Sequence, residues 1–323
     1  MLSVGDVRYI DFHGIEHLNK LRYLYIENVA RLDNLQELKN LPSLDTLIIN
    51  APIDLHSFSL LNLSKNLKYL ALADTSIKSL SGIEQFPFLT TLNLSAYHLR
   101  DLGNLEKLTG LKKLTVESKG ISNSELKKIS RLPLSVLYVY RPESLDFLDS
   151  LVNLETLVME LPSEMRDVTI QNNIRLKKLN LTCTYKTHNI KIRKSIKSLH
   201  EITLDGFYGI VEFEDPENFH IDSLSIIEAH NESNIFGEIE KLKLLKCLYL
   251  KSLRDFSFIR SLTQITKLSI VSPFASLDPN IFKDLHNLKE LDLVYRVPAS
   301  ELEKIRKTLP NCKVSAEEII KGE

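Results

Sequence analysis

The chain has 323 residues, of which 58 are leucine, 10 glycine and none tryptophan, and 26% are charged. Lys and Arg number 41 against 42 Asp and Glu, so no global field draws the chain to nucleic acid or an anionic membrane, and neither is expected as a partner. Cys183, Cys247 and Cys312 are far apart and form no CxxC, so a disulfide framework or a zinc site is not expected. The opening residues MLSVGDVRYIDFHG hold no basic stretch followed by an apolar run, and no window approaches 18 apolar residues. Neither a secretory signal nor a membrane span is expected, and the cytoplasm is the expected address.

In chain order, Val7-Arg-Tyr-Ile10-Asp-Phe12 reads as an edge strand. His13-Gly-Ile-Glu16-His17 then spells HxxEH, an inverted zinc-protease pattern. That chemistry needs both histidines on one helix face and a further ligand downstream. Here Ile15, Leu18 and Leu21 continue an apolar ladder, so Glu16 and His17 face solvent and the match reads as chance composition.

From Leu21 the pattern LxxLxL, with other apolar residues allowed for Leu, recurs thirteen times. The copies start at Leu21, Leu44, Leu67, Leu89, Leu111, Leu134, Leu154, Leu176, Leu199, Ile221, Leu245, Ile265 and Leu288, a mean period near 22 residues. Several extend backwards with a period of three, as in Leu32, Leu35, Leu38, Leu41 and Leu44. A period of three followed by a period of two means a tight helical turn feeding a short strand. One such unit cannot bury its apolar edge alone, so stacking of units creates the core. Ser122-Asn-Ser-Glu125 and Ser300-Glu-Leu-Glu303 fit capping boxes ahead of helices running through Arg131 and Thr308. Residues 182–220 are less regular, with a basic run (Lys186, Lys191, Arg193, Lys194, Lys197) one repeat before an acidic one (Glu212, Glu214, Asp215, Glu217). Leu309-Pro-Asn-Cys312-Lys-Val314 reads as a closing edge strand, followed by a short tail.

The ladder resembles the leucine-rich-repeat family, in the 22-residue subclass of the internalins and of a regulatory subunit of type-1 protein phosphatase. The resemblance covers residues 7 to about 315. It implies an α/β horseshoe solenoid with a parallel concave sheet of about fifteen strands and a convex side of 3-10 and short α-helical turns. The expected organisation is a cap strand and turn over 1–20, thirteen repeats over 21–298, and a helix, closing strand and tail over 299–323. The family prefers Asn eight positions after the first Leu of each copy. Here Val29, Pro52, Thr75, Tyr97, Lys119, Pro142 and their successors stand there, so irregular turns are expected.

Strand alternation sends the consensus Leu positions inward and leaves positions three, five and seven of each copy on the open face. Tyr9, Tyr23, Tyr25, Tyr69, Tyr138, Tyr140 and Tyr249 fall there, seven of the 11 tyrosines. Ile48, Val136 and Val158 add apolar surface, and acids outnumber bases, with Glu117 and Glu160 among them. Tyrosine supplies large contact area at low entropic cost, although strand propensity alone also favours it. The chain carries no GxGxxG, P-loop or GxSxG. Cys247 lacks a nearby activating His, so neither catalysis nor a cofactor is expected.

The expected function is non-enzymatic binding of a folded protein, one with a basic patch, by a chain that is monomeric on its own. An inhibitor or toxin-neutralising immunity protein is the first reading. A targeting subunit, an adhesin, and a hydrolase or ligase follow in that order.

Overall fold

A computed structural model describes residues 1–53, 56–58, 63–183, 187–229, 234–271 and 277–319. The chain forms two compact units, Met1–Met159 and Glu160–Glu323. In the first, strands Leu2–Gly5, Tyr23–Glu27, Thr46–Ile53, Tyr69–Thr75, Thr91–Ser95, Lys113–Glu117 and Val136–Tyr140 lie side by side in chain order. The register is continuous, with Leu24, Leu47, Leu70, Leu92, Leu114 and Leu137 in one row, each at most 1% exposed. Every Leu of this row is covered by its neighbours in the row, which is how stacking makes a core.

The second unit repeats the arrangement with Lys178–Cys183, Glu201–Asp205, Ser223–Ile227, Cys247–Lys251, Lys267–Val271, Glu290–Pro298 and Lys313–Ile319. Its inward row is Leu179, Ile202, Leu224, Leu248, Leu268 and Leu291, again at most 2% exposed. Counting Thr156–Leu161, fifteen parallel strands carry the ladder, the number the resemblance implies.

The period of three has a direct backbone cause. Leu41 N donates to Leu38 O and Leu44 N to Leu41 O, and the series Leu102, Leu105, Leu108, Leu111 is linked in the same way. Each Leu is thus one i→i+3 hydrogen bond from the next, so all point to the same side and meet the core. The 3-10 turns Leu35–Asn40, Ile83–Gln85, Leu105–Lys107 and Asp146–Ser150 follow this rule.

The first ladder strand is Leu2–Gly5, not Val7–Phe12. Leu2 pairs with Leu24 and Val4 with Ile26, at the full repeat spacing, whereas Ile10 lies too few residues before Leu24 to travel round a repeat and return. Tyr9–Asp11 instead pairs with Arg31–Asp33 in a separate two-stranded sheet.

Residues 182–220 are more regular than their sequence suggests. Asp167–Ile170, Thr187–Ile192 and Tyr208–Phe213 form a three-stranded parallel sheet in place of helical turns. Alternation explains it, since Val168, Ile170, Ile190, Ile192, Val211 and Phe213 are all buried. The opposed charge runs meet as ion pairs, Lys191–Glu212 at 2.6 Å, Lys194–Asp215 at 3.4 Å and Arg193–Glu214 at 3.5 Å. Lys186 lies outside the described residues.

Neither capping box forms. The helix Asn123–Ile129 starts after Ser122, whose hydroxyl pairs with Ser124, while Glu125 accepts from Leu102 N at 2.7 Å and so satisfies the preceding repeat. Ser300 lies inside the helix Ala299–Thr308, which leaves strand Glu290–Pro298 directly with Pro298 as its N-cap residue. The closing strand is also displaced. Glu290 pairs with Lys313 and Leu291 with Val314, two residues off the expected register, because Leu309–Cys312 forms a turn after the helix. A two-residue shift keeps the same side chains inward.

Where the family places Asn, Val29, Phe207 and Leu253 are buried apolar residues. The residue just before each of these, Asn28, Gly206 or Ser252, adopts positive φ and turns the chain out of the sheet, as do Arg141 and Glu228 at the same point of their repeats. Ser118 occupies that point in its own repeat and donates to Leu99 O at 2.6 Å.

Candidate protein-binding face

Alternate residues of the ladder strands form the open face, and in the first unit they align in rows. Tyr23, Thr46, Tyr69, Thr91, Lys113 and Val136 make one row, and Ser3, Tyr25, Ile48, Ala71, Asn93, Thr115 and Tyr138 the next. Tyr23, Tyr25, Ile48 and Tyr69 therefore sit together on three adjacent strands, all half-buried. Val136, Tyr138 and Tyr140 form a second group on Val136–Tyr140, beyond two strands whose open side holds Thr91, Asn93, Lys113 and Thr115. Glu117 lies on the strand beside that group, and Val158 on the strand after it.

The hydroxyls of the first group are engaged. Tyr25 Oη donates to Glu27 Oε2 at 2.5 Å, and this bond, more than burial, pushes the phenol pKa up. Tyr69 Oη accepts from Asn93 Nδ2 at 2.9 Å and keeps its own proton to offer. Arg141 lies over the Tyr140 ring at 4.9 Å. These contacts hold rings that would otherwise swing, which lowers the entropy lost on binding.

Tyr9 is not part of this face. Half exposed, it lies on the separate two-stranded sheet with Arg31 at 5.7 Å over its ring, and Asp11 goes with it. Its cross-strand partner is Arg31. Sequence reasoning missed Ser3 and Gly5, which belong to a strand with too few apolar residues to match the motif, while Asn50 and Asn93 fall at positions seven and five of their copies, on the open face, without having been singled out.

Glu160 shares the strand Thr156–Leu161 with Val158, and Tyr249 lies on Cys247–Lys251 in the second unit. Tyr249 is flanked by Ser225 and Ser269, and its face is mostly small and charged. Lys178 meets Glu201 at 2.6 Å and Lys267 meets Glu290 at 2.9 Å, each in register, so these charges are already neutralised. Cys247 is half-buried in the same row between Ser223 and Lys267. Cys183 is buried, and burial pushes its thiol up to about 12.

His13, Glu16 and His17 do not converge. The backbone of His13 donates to Asp11 Oδ1, while Glu16 and His17 lie on the 3-10 turn Ile15–Leu18 with solvent-exposed side chains. Among the described residues no group of three His, Cys, Asp or Glu could hold a metal ion, and no helix is long and apolar enough to cross a membrane.

No protein-family model matches the chain, and no curated protein matches its sequence. Solved structures do. An internalin, InlF, from Listeria monocytogenes superposes with a TM-score of 0.63 at 23% identity, covering 90% of this chain and 85% of the internalin. The leucine-rich-repeat fold is shown. The Leptospira interrogans leucine-rich-repeat protein LIC12759 gives 0.56 at 19% identity, covering 94% of this chain and 92% of its own. TLR13, solved in complex with ssRNA13, gives 0.55 at 14% identity over 96% of this chain and 54% of TLR13. A repeat ladder reproduces a fold at low identity because it asks only for apolar residues at fixed spacing.

Proposed function

We propose that this leucine-rich-repeat chain is a non-enzymatic, cytoplasmic protein-binding module that grips a folded partner on the open face of its first unit. The observation that carries the reading is the alignment of Tyr23, Tyr25, Ile48 and Tyr69 on three adjacent strands. Aromatic groups presented on a rigid sheet are the usual energetic centre of a contact. The likeness to other leucine-rich-repeat proteins supports a binding role in general terms. The proposed mode of action is coverage, as in an inhibitor or an immunity protein. A protein partner with a basic patch suits the acidic excess of the face better than nucleic acid does.

A native pull-down from the source cell, comparing the wild type with a Tyr23/Tyr25/Tyr69 triple-alanine variant, tests this. One stoichiometric protein is expected to disappear with the variant, and Tyr25→Ala and Tyr69→Ala should each cost about 1–3 kcal/mol of its binding. The partner's own activity should fall as the wild type is added. An active partner that merely changes location would make the chain an adaptor, and identical recoveries from both baits would move the contact off this face.

A further inference from the structure

We propose that Glu27 and the Tyr25 ring form the anchor for a single arginine side chain of the partner, an inference that rests on the open-face reading above.

The site lies on the second ladder strand of the first unit, beside Leu2–Gly5. Glu27 lies in a row with Gly5 on one side and Asn50 then Ala73 on the other. Gly5 leaves room for the Glu27 stem, since a Cβ on it would come within 3.0 Å of Glu27 Cγ and the stem would have to give by a few tenths of an ångström. Glycine thus flanks the carboxylate on one side and Asn50 on the other, with the small Ala73 beyond. Tyr25, two residues back on the same strand, fixes it with the 2.5 Å hydrogen bond to Oε2. Across from Tyr25 come Ile48 and then Ala71, an apolar and shallow floor.

Charge then decides the occupant. On the open face of the second unit, Lys178–Glu201 and Lys267–Glu290 are closed in-register pairs. Glu27 has no ion-pair partner among the described residues, and its Tyr25 bond leaves acceptor capacity on both carboxylate oxygens. Close by, Asp6 accepts from Asn28 Nδ2 and adds a second negative charge. A fixed carboxylate beside an aromatic ring with an apolar floor matches arginine in each part. The guanidinium bonds the carboxylate while its face meets the ring, and its alkyl stem covers Ile48 and Ala71. Lysine, a point charge with tetrahedral donors, uses the carboxylate and leaves the ring contact weaker.

The test uses two synthetic bead libraries of 11-residue peptides, one with Arg and one with Gln fixed at the centre, with Arg and Lys excluded elsewhere. The full-length chain should enrich the Arg library. Its peptides should lose roughly tenfold or more in affinity for Glu27→Gln, which keeps the Tyr25 bond, and for the triple-alanine variant. Enriched peptides from the Gln library that need the tyrosines but ignore Glu27→Gln would overturn the arginine anchor and leave the open-face reading intact. Peptides indifferent to both variants, or no enrichment from either library, would overturn both.

Discussion

Single residues show how much the turns between ladder strands depend on a few polar atoms. Asp101 accepts from Ser79 Oγ at 2.5 Å and from Gly103 N at 2.8 Å, with Lys128 Nζ at 3.4 Å. The Ser79 hydroxyl, the largest influence, and the Gly103 amide hold its carboxyl below the usual range despite burial. Gly103 has φ +54°, and a Cβ there would come within 2.6 Å of Leu80 backbone atoms, so the turn admits no other residue without distortion. A folded carboxyl with a depressed pKa stabilises above its unfolded pKa, and that contribution is lost as pH falls through the folded value. Asp101→Asn should therefore lower the melting temperature at pH 7, and the gap from wild type should close as pH drops below about 4. Thermal melts from pH 7 to 3 check it, and a gap that stays constant would contradict the assignment. None of this was legible in sequence, where Asp101 and Ser79 are ordinary polar residues a repeat apart.

At the scale of elements, side chains carried by two of the helices bond open backbone groups of the repeat before. The three-stranded sheet ends at Tyr208–Phe213, and the helix Ile235–Ile239 supplies what a fourth strand would have supplied. Asn234 Oδ1 accepts from Val211 N at 2.7 Å, its Nδ2 donates to Val211 O at 2.8 Å, and Glu238 accepts from Phe213 N at 3.3 Å. Glu125 does the same for Leu102 N. Asn234→Ala removes both partners of Val211 and should cost about 1–3 kcal/mol in urea denaturation. A loss no larger than that of a surface substitution would mean that water replaces the amide. The sequence pattern anticipated the helix Asn123–Ile129 but not Ile235–Ile239, and it read Glu125 as a local cap, because a side chain's reach into the preceding repeat has no trace in spacing.

For the whole molecule, a ladder in which each strand is covered by its two neighbours loses protection first where a neighbour is missing. Leu2–Gly5 and Lys313–Ile319 are the end strands, and the inward residues Val4 and Val314 are half-buried where Leu70 and Leu248 are at most 2% exposed. Amide hydrogen exchange should therefore be fastest in these two strands and slowest around Leu70 and Leu92 in the first unit and Leu224 and Leu248 in the second. Equal protection from end to middle would show that either unit unfolds as one block.

The sequence by itself determined the repeat, its parallel strands and the residues that alternate onto the open face. Each follows from apolar spacing, which is written locally and survives any change of turn. Tertiary structure alone decided that Leu2–Gly5 rather than Tyr9–Asp11 begins the ladder, that Tyr9 and Asp11 leave the face, and that Gly5 and Tyr25 shape the space around Glu27. Those outcomes depend on which strand lies beside which and how closely backbones approach, quantities that a spacing rule along one chain does not contain.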